Sequence, residues 1–144
     1  MSVETINTIS PTTNKVVVSR NGISASDLRA LPEISTKAFL SYRKTSLVDR
    51  QAIVKKALKL LNDKQDELAK ELTEQMGRPI AYTAKEITTA VKRGEYLLKI
   101  SEDTLKDTPG EDEKGFKRFI RKVPVGPCLI LFAWNVSLPP VFSV

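Results

Sequence analysis

The side chains best suited to chemistry lie near the end of the chain, where an apolar run leads into a Trp-Asn pair. Cys128 opens seven consecutive apolar residues that end at Trp134, and Asn135 follows directly. A run of this length between Pro127 and a polar residue predicts a strand covered on both faces, as in a parallel sheet under helices. Such a strand would deliver Trp134 and Asn135 to a site that the rest of the chain does not complete.

Cys128 is the only cysteine in the chain, and a thiol is a potential nucleophile. Its place at the start of an apolar strand predicts instead a small buried side chain, because apolar surroundings disfavour the thiolate. The chain has no histidine. With one cysteine and no histidine, the chain cannot form a disulfide framework, a histidine metal site, or a Ser-His or Cys-His pair by itself. Most hydrolase chemistry is therefore excluded.

A single strand does not make a parallel sheet. The next parallel strand requires a crossover of about a dozen residues or more, usually a helix, whereas only residues 136–144 follow Asn135. We therefore expect an α/β fold of which this chain is the front piece.

Charge narrows the range of partners. The formal net charge is +6, and nucleic-acid binding depends on lysine and arginine density. Between residues 49 and 74, however, basic and acidic side chains alternate, which is typical of a solvated helix face. The cluster of a single sign comprises Lys114, Lys117, Arg118, Arg121 and Lys122. Because only Phe116 and Phe119 are interleaved with these charges, a solvated or subunit-facing edge is favoured over a phosphate groove.

Targeting signals are also missing from the sequence. The first residues lack the basic and apolar regions of a signal peptide, and no apolar run is long enough to span a membrane. The sequence predicts a cytoplasmic protein with no membrane or nucleic-acid partner and no metal.

The N-terminal region predicts a hairpin and then a helix. Residues 5–10 and 15–19 are rich in β-forming side chains, and they flank Pro11 and Asn14, which suit a tight turn. Asn14 tolerates the left-handed conformation that such a turn needs. A polar linker is expected over residues 20–27, followed by a helix near residues 35–42.

The middle of the chain predicts three further helical segments. Ser46, with an acid three residues later at Asp49, is typical of a helix N-terminus. The apolar stripe that follows is expected to break at residues 62–63 and to end at Gly77, which caps the helix before a proline. Another helix, over residues 81–99, is expected to bury the face made of Ile87, Val91, Gly94 and Leu98.

The segment from Phe116 to Val123 predicts a strand outside the main core. It carries arginine and lysine at many positions and ends at Pro124. Charge and proline are typical of exposed or partner-pairing edge strands.

Together these features resemble the N-terminal part of the aldehyde dehydrogenase family. The motifs, in order, are Ile9-Ser10-Pro11-Thr12-Thr13-Asn14, Glu74-Gln75-Met76-Gly77-Arg78-Pro79, Lys85-Glu86-Ile87, Pro124-Val125-Gly126-Pro127 and Phe132-Ala133-Trp134-Asn135. Their order and spacing make the resemblance specific over residues 5–135. Residues 136–144 are expected to be a tail that departs from the family, since Pro139 and Pro140 disfavour the helix found there in relatives.

The resemblance implies an incomplete Rossmann-like cofactor-binding domain with an N-terminal hairpin, a helical layer, an edge-strand arm and one core parallel strand. In the family, a cysteine thiolate attacks an aldehyde, NAD or NADP is the oxidant, and a glutamate activates the water that releases the acid. Asn135 matches the asparagine whose amide helps to hold the oxyanion. The stretch beside the cofactor is Phe132, Ala133, Trp134 and Asn135.

The family's nucleophile, base, cofactor lysine and Gly-rich turn have no counterpart in this chain. It is therefore expected to be inactive and to bind no cofactor by itself. The arm at residues 116–123 helps subunits of the family to associate, which implies a homo- or hetero-oligomer. The alternative is an interaction or regulatory fragment that pairs with full-length relatives through this arm.

Overall fold

The computed structural model describes residues 4–132. Its elements, in chain order, are β1 (Thr5–Ile9), β2 (Val16–Asn21), α1 (Ala25–Tyr42), α2 (Leu47–Asp63), α3 (Gln65–Met76), α4 (Ile80–Leu105), β3 (Thr108–Pro109) and β4 (Phe119–Ile120). β1 pairs antiparallel with β2, and β3 pairs antiparallel with β4. Two small hairpins thus flank a layer of helices in the part of the chain that the structure describes.

The first hairpin has the predicted turn. Thr5 lies opposite Asn21, and the register shifts between Thr8 and Ile9. In the turn, Asn14 has a φ of 57°, and its backbone N–H donates to the Ser10 carbonyl at 2.8 Å. The left-handed conformation predicted for Asn14 is therefore confirmed, and it follows from the residue type.

Helix α1 begins earlier than the sequence predicts. The Ser24 hydroxyl accepts a hydrogen bond from the Asp27 amide at 3.1 Å and donates to the Asp27 carboxylate at 2.5 Å. β2 runs to Asn21 and this N-cap starts the helix at Ala25. The linker predicted over residues 20–27 is therefore wrong at both ends. Pro32 lies inside α1, where it removes one helical hydrogen bond. The Thr36 hydroxyl donates to the Pro32 carbonyl at 2.7 Å.

The predicted caps of α2 and α3 are confirmed. The Ser46 hydroxyl accepts from the Asp49 amide at 3.1 Å, and the break between the helices falls at Lys64. Gly77 caps α3 with a φ of 71°. A Cβ placed on Gly77 would lie 2.7 Å from the Pro11 Cγ. This glycine therefore both ends the helix and lets the first hairpin approach it closely.

The core lies between α2, α3 and α4. Its buried apolar side chains are Leu58, Ala69, Ile87, Ala90 and Val91. On α4, Ile87, Val91 and Gly94 are buried as predicted, whereas Leu98 is half-buried. Helix α4 continues to Leu105, past its predicted end, because neither proline nor glycine interrupts the sequence there.

The segment after α4 forms less regular structure than the sequence predicts. The edge strand predicted over residues 116–123 is limited to β4, Phe119–Ile120. The core strand predicted from Cys128 is not present over residues 128–132, and Cys128 is exposed rather than buried. The physical reason is that a strand needs hydrogen-bonding neighbours, and residues 4–132 place none beside this segment.

Candidate functional site

The predicted oxyanion and cofactor stretch is only partly described. Phe132 is described, and 47% of its surface is exposed. Ala133, Trp134 and Asn135 lie outside the described residues. The structure therefore shows the segment that leads to the predicted site rather than the site itself.

That segment lies against helix α1. Pro127, Cys128 and Leu129 line an open groove of about 490 Å³ together with Leu28, Leu31, Pro32, Ser35 and Thr36. The Cys128 Sγ lies 4.0 Å from the Gly126 carbonyl oxygen. A carbonyl oxygen is a hydrogen-bond acceptor and does not stabilise a negative sulfur, so this contact gives Cys128 no feature of an activated nucleophile.

Gly22 lies where the chain first passes from a strand to a helix. Dinucleotide-binding folds place several glycines and free amides where a strand meets a helix N-terminus. Here the junction of β2 and α1 carries Gly22, whose amide donates to the Glu4 carbonyl at 2.8 Å. A Cβ on Gly22 would lie 3.1 Å from that same oxygen. The glycine thus serves the hairpin, and its amide is not available to a phosphate.

A partly buried ion pair joins the start of α4 to the loop that follows α3. Glu86 is 8% exposed, and Arg78 Nη1 donates to its Oε2. Its Oε1 is buried without a hydrogen-bond partner among the described residues. A buried carboxylate is costly without a cation beside it, so Arg78 stabilises this arrangement. The sequence signal for the pair is an acid inside an apolar stripe, next to Ile87.

Two glutamines connect the helices through polar contacts that the sequence analysis missed. Gln65 Nε2 on α3 donates to the Ala84 carbonyl at 3.2 Å and to Thr88 Oγ1 at 3.1 Å on α4. Gln51 Nε2 on α2 donates to Ser101 Oγ on α4 at 2.8 Å. Glutamine gives no local signal for such a role, because its partners are distant in the sequence.

Arg121 pairs with Asp107 and stacks on an aromatic ring. Its Nη2 donates to Asp107 Oδ2 at 2.8 Å, and its Nε lies 3.2 Å from each carboxylate oxygen. The guanidinium carbon lies 4.7 Å from the centroid of the Phe119 ring. The hydrogen bond from Arg121 holds the pKa of Asp107 below its ordinary value of 3.8.

Two further residues of the basic cluster also have partners. Arg118 forms an ion pair with Glu113, and Lys122 Nζ donates to the Thr104 carbonyl. Charges that are neutralised or bound within the chain are less available to phosphates. The contacts therefore support the solvated or subunit-facing edge over the phosphate groove.

Within residues 4–132, no group of three or more Cys, Asp or Glu side chains is placed to hold a metal ion. None of the helices in the same range is both long enough and apolar enough to cross a membrane.

Comparisons with known proteins connect this arrangement to one family. The model of the aldehyde dehydrogenase family matches residues 1–142. The 3-succinoylsemialdehyde-pyridine dehydrogenase of a Pseudomonas species is 30% identical over 132 residues, which cover 90% of this chain and 27% of that protein.

Solved structures show the same fold. A 3,6-anhydro-L-galactose dehydrogenase in complex with NAP has a TM-score of 0.84 at 21% identity, over 96% of this chain and 29% of its own. PnpE in complex with nicotinamide adenine dinucleotide has a TM-score of 0.81 at 18% identity, over 96% of this chain and 28% of its own. The predicted fold class, part of an α/β Rossmann-like domain, is confirmed.

The chain spans less than a third of the length of these relatives. The family match extends through residue 142, and so it includes most of the tail that the sequence predicts to depart from the family. Residues 136–144 lie outside the described residues.

Proposed function

Because the chain belongs to the aldehyde dehydrogenase family, we propose that it forms the N-terminal part of the cofactor-binding domain of an enzyme that oxidises aldehydes to carboxylic acids with NAD or NADP. The observation that carries this proposal is the family match over residues 1–142. The fold shared with two dinucleotide complexes supports the choice of cofactor.

The chemical role of this chain is electrostatic. We propose that the Asn135 side-chain amide donates to the oxygen of the aldehyde as negative charge develops on it, which lowers the barrier to attack at the carbonyl carbon. Phe132, Ala133 and Trp134 would line the cofactor beside it. When bound, NAD or NADP is the electron acceptor.

Residues 1–144 do not complete the reaction by themselves. Oxidation through a thioester needs a thiolate nucleophile and a base that activates water. Cys128 is exposed at the groove beside α1, and its described sulfur contact is a carbonyl oxygen. We therefore assign the nucleophile and the base to polypeptide that corresponds to the remaining length of the relatives.

A chimera tests the role of Asn135. Residues 1–144 would replace the aligned part of the Pseudomonas 3-succinoylsemialdehyde-pyridine dehydrogenase, and kcat would be measured with that enzyme's own aldehyde. Asn135→Ala is expected to lower kcat by roughly 10²–10³, the usual effect of removing one oxyanion donor. Asn62→Ala, an exposed asparagine on α2, is the matched control and should leave kcat unchanged. An Asn135→Ala chimera with the kcat of the parent chimera would refute the role.

We also propose that the arm at residues 116–123 joins subunits. β4 is paired with β3 on one side, and Phe116, Ile120 and Val123 are exposed. A strand with an open edge and exposed apolar side chains is a ready surface for pairing with another chain. The arm would add as a strand to a sheet in a neighbouring subunit, which could be a second copy of this chain or a related polypeptide.

Solution mass measurement tests this pairing. Ile120→Asp in the active chimera is expected to shift the oligomer toward smaller species, because it places a charge on the paired edge. Val125→Asp changes a residue that is fully exposed outside the strand, and it should have no effect. Equal masses for the chimera and its two variants would exclude a role for the arm in subunit association. Co-purification of residues 1–144 with an intact relative would instead favour the interaction fragment.

A further inference from the structure

A second pocket shares no lining residue with the groove beside α1. It has a volume of about 390 Å³ and lies between the end of α1, α2 and α4. Apolar side chains form most of its wall, namely Leu47, Val54, Leu97, Leu98 and Leu105. One residue with a permanent charge, Arg50, also lines it.

Arg50 has no counter-ion among the described residues. Its Nε is buried without a hydrogen-bond partner, and no ion pair within residues 4–132 includes it. The adjacent acid, Asp49, bonds instead to the Ser46 hydroxyl at 2.6 Å. A buried guanidinium N–H without an acceptor is costly, so the pocket favours an anion.

Two other polar side chains of the pocket are paired with each other. Gln51 and Ser101 bond to each other at 2.8 Å, and the Ser101 hydroxyl donates to the Leu98 carbonyl at 2.8 Å. Arg50 is thus the charged side chain of the pocket that keeps a buried donor for a ligand, and its planar fork matches a carboxylate.

We propose that this pocket binds a small carboxylate with a short apolar tail, its head group on Arg50 and its tail along Val54, Leu97 and Leu98. The volume of about 390 Å³ falls in the range of small-molecule sites, roughly 300–1,000 Å³. The site is independent of the aldehyde-oxidising function.

The test is a titration of residues 1–144 with octanoate, followed by calorimetry and two-dimensional NMR. Octanol and octylamine share the tail and replace the negative head group. Octanoate is expected to bind ~10-fold or more tightly than either, because pairing with a cation adds to tail burial. The backbone amide chemical shifts that change on adding octanoate should be those of residues around Leu97 and Ser101. Equal binding of octanol and octanoate, or no saturable octanoate binding, would overturn the proposal without any variant.

Variants locate the head group. Arg50→Gln should weaken octanoate binding ~10-fold while leaving octanol unchanged, and Arg50→Lys should restore part of the loss. Arg43→Gln is the matched control, because Arg43 lies over the Phe39 ring at 5.5 Å and does not line the pocket. A loss for Arg43→Gln equal to that for Arg50→Gln would also overturn the assignment. Circular dichroism checks that each variant keeps the helical content of the parent.

Discussion

At the scale of single residues, Gly77 shows how one position serves two elements. It adopts a φ of 71° at the end of α3, and the Pro11 ring of the first hairpin fills the space where a side chain would lie. The first requirement is visible in the sequence, because Gly before Arg-Pro is typical of a helix end. The second depends on packing between distant residues, and it appears only in the structure.

Gly77→Ala is expected to destabilise the chain by about 1–3 kcal/mol from backbone strain alone, and by more because of the contact with Pro11. Gly115→Ala is the matched control. Gly115 has a φ of 85°, but nothing lies within 4 Å of its Cβ position, so only strain applies. Urea titration of the helical signal should therefore show a larger loss for Gly77→Ala. Equal losses would mean that the hairpin does not rest on this helix end.

The Arg78 and Glu86 pair leads to a second prediction. Arg78→Met leaves the Glu86 carboxylate buried without its cation, which should cost about 1–3 kcal/mol. Solvent reaches Arg78, whose side chain is 42% exposed, so the loss should lie at the lower end. Adding Glu86→Gln should recover part of it, because a neutral amide is cheaper to bury. Urea midpoints of the single and double variants provide the measurement. A double variant less stable than Arg78→Met would contradict this account.

At the scale of elements, local capping signals were sufficient to place α2 and the end of α3. Ser46 and Asp49 bond as predicted. The same pattern at Ser24 and Asp27 starts α1 inside the region predicted as a polar linker. The helix continues through Pro32, although this residue removes one of its hydrogen bonds.

The predicted core strand shows the limit of reading a sequence locally. An apolar run from Cys128 is typical of a buried parallel strand. Burial in a sheet, however, depends on neighbouring strands and covering helices. Residues 4–132 supply no such neighbour, so Cys128 remains exposed. The run indicates what this segment becomes in a complete sheet rather than what it forms here.

The β4 segment has a pH dependence that follows from the pKa of Asp107. The hydrogen bond from Arg121 lowers that pKa below 3.8, so the contact is fully present above pH 3.8 and is lost as pH falls through the lowered value. NMR titration of the Asp107 carboxyl should give a midpoint below 3.8 that returns toward it in Arg121→Gln. A midpoint at or above 3.8 in the parent chain would contradict the pairing.

At the scale of the whole molecule, the helical layer covers little of its own apolar surface. Helix α1 has no buried residue, and its exposed side chains include Leu28, Ile34 and Leu40. On α2, Ile53 and Leu60 are exposed as well. An apolar face that no element covers contributes little to folding stability.

Residues 1–144 are therefore expected to show helical circular dichroism, a broad and weakly cooperative melting transition, and binding of a dye that reports exposed apolar surface. In the active chimera, which supplies the rest of a relative, melting should be sharper and dye binding weaker. A sharp two-state transition of the monomeric chain by calorimetry would instead show a self-sufficient domain.

The candidate site could also be predicted only in part from the sequence. The family was recognisable from motifs spread over residues 9–135, because their order is specific. The role proposed for Asn135 rests on that resemblance and not on any local pattern, since an asparagine after a strand is also an ordinary turn residue. The Arg50 pocket had no sequence signal, because it depends on the absence of a nearby acid in space.

We propose that this chain carries one catalytic group of an aldehyde dehydrogenase, Asn135, and that the nucleophile and base belong to the remaining length of the relatives. The most direct test is the aldehyde-dependent reduction of NAD or NADP by purified residues 1–144, followed by nicotinamide absorbance. We predict no rate above the enzyme-free blank, and no change for Cys128→Ala. A rate above the blank that disappears in Cys128→Ala would contradict the claim, because it would make Cys128 the nucleophile of a complete site.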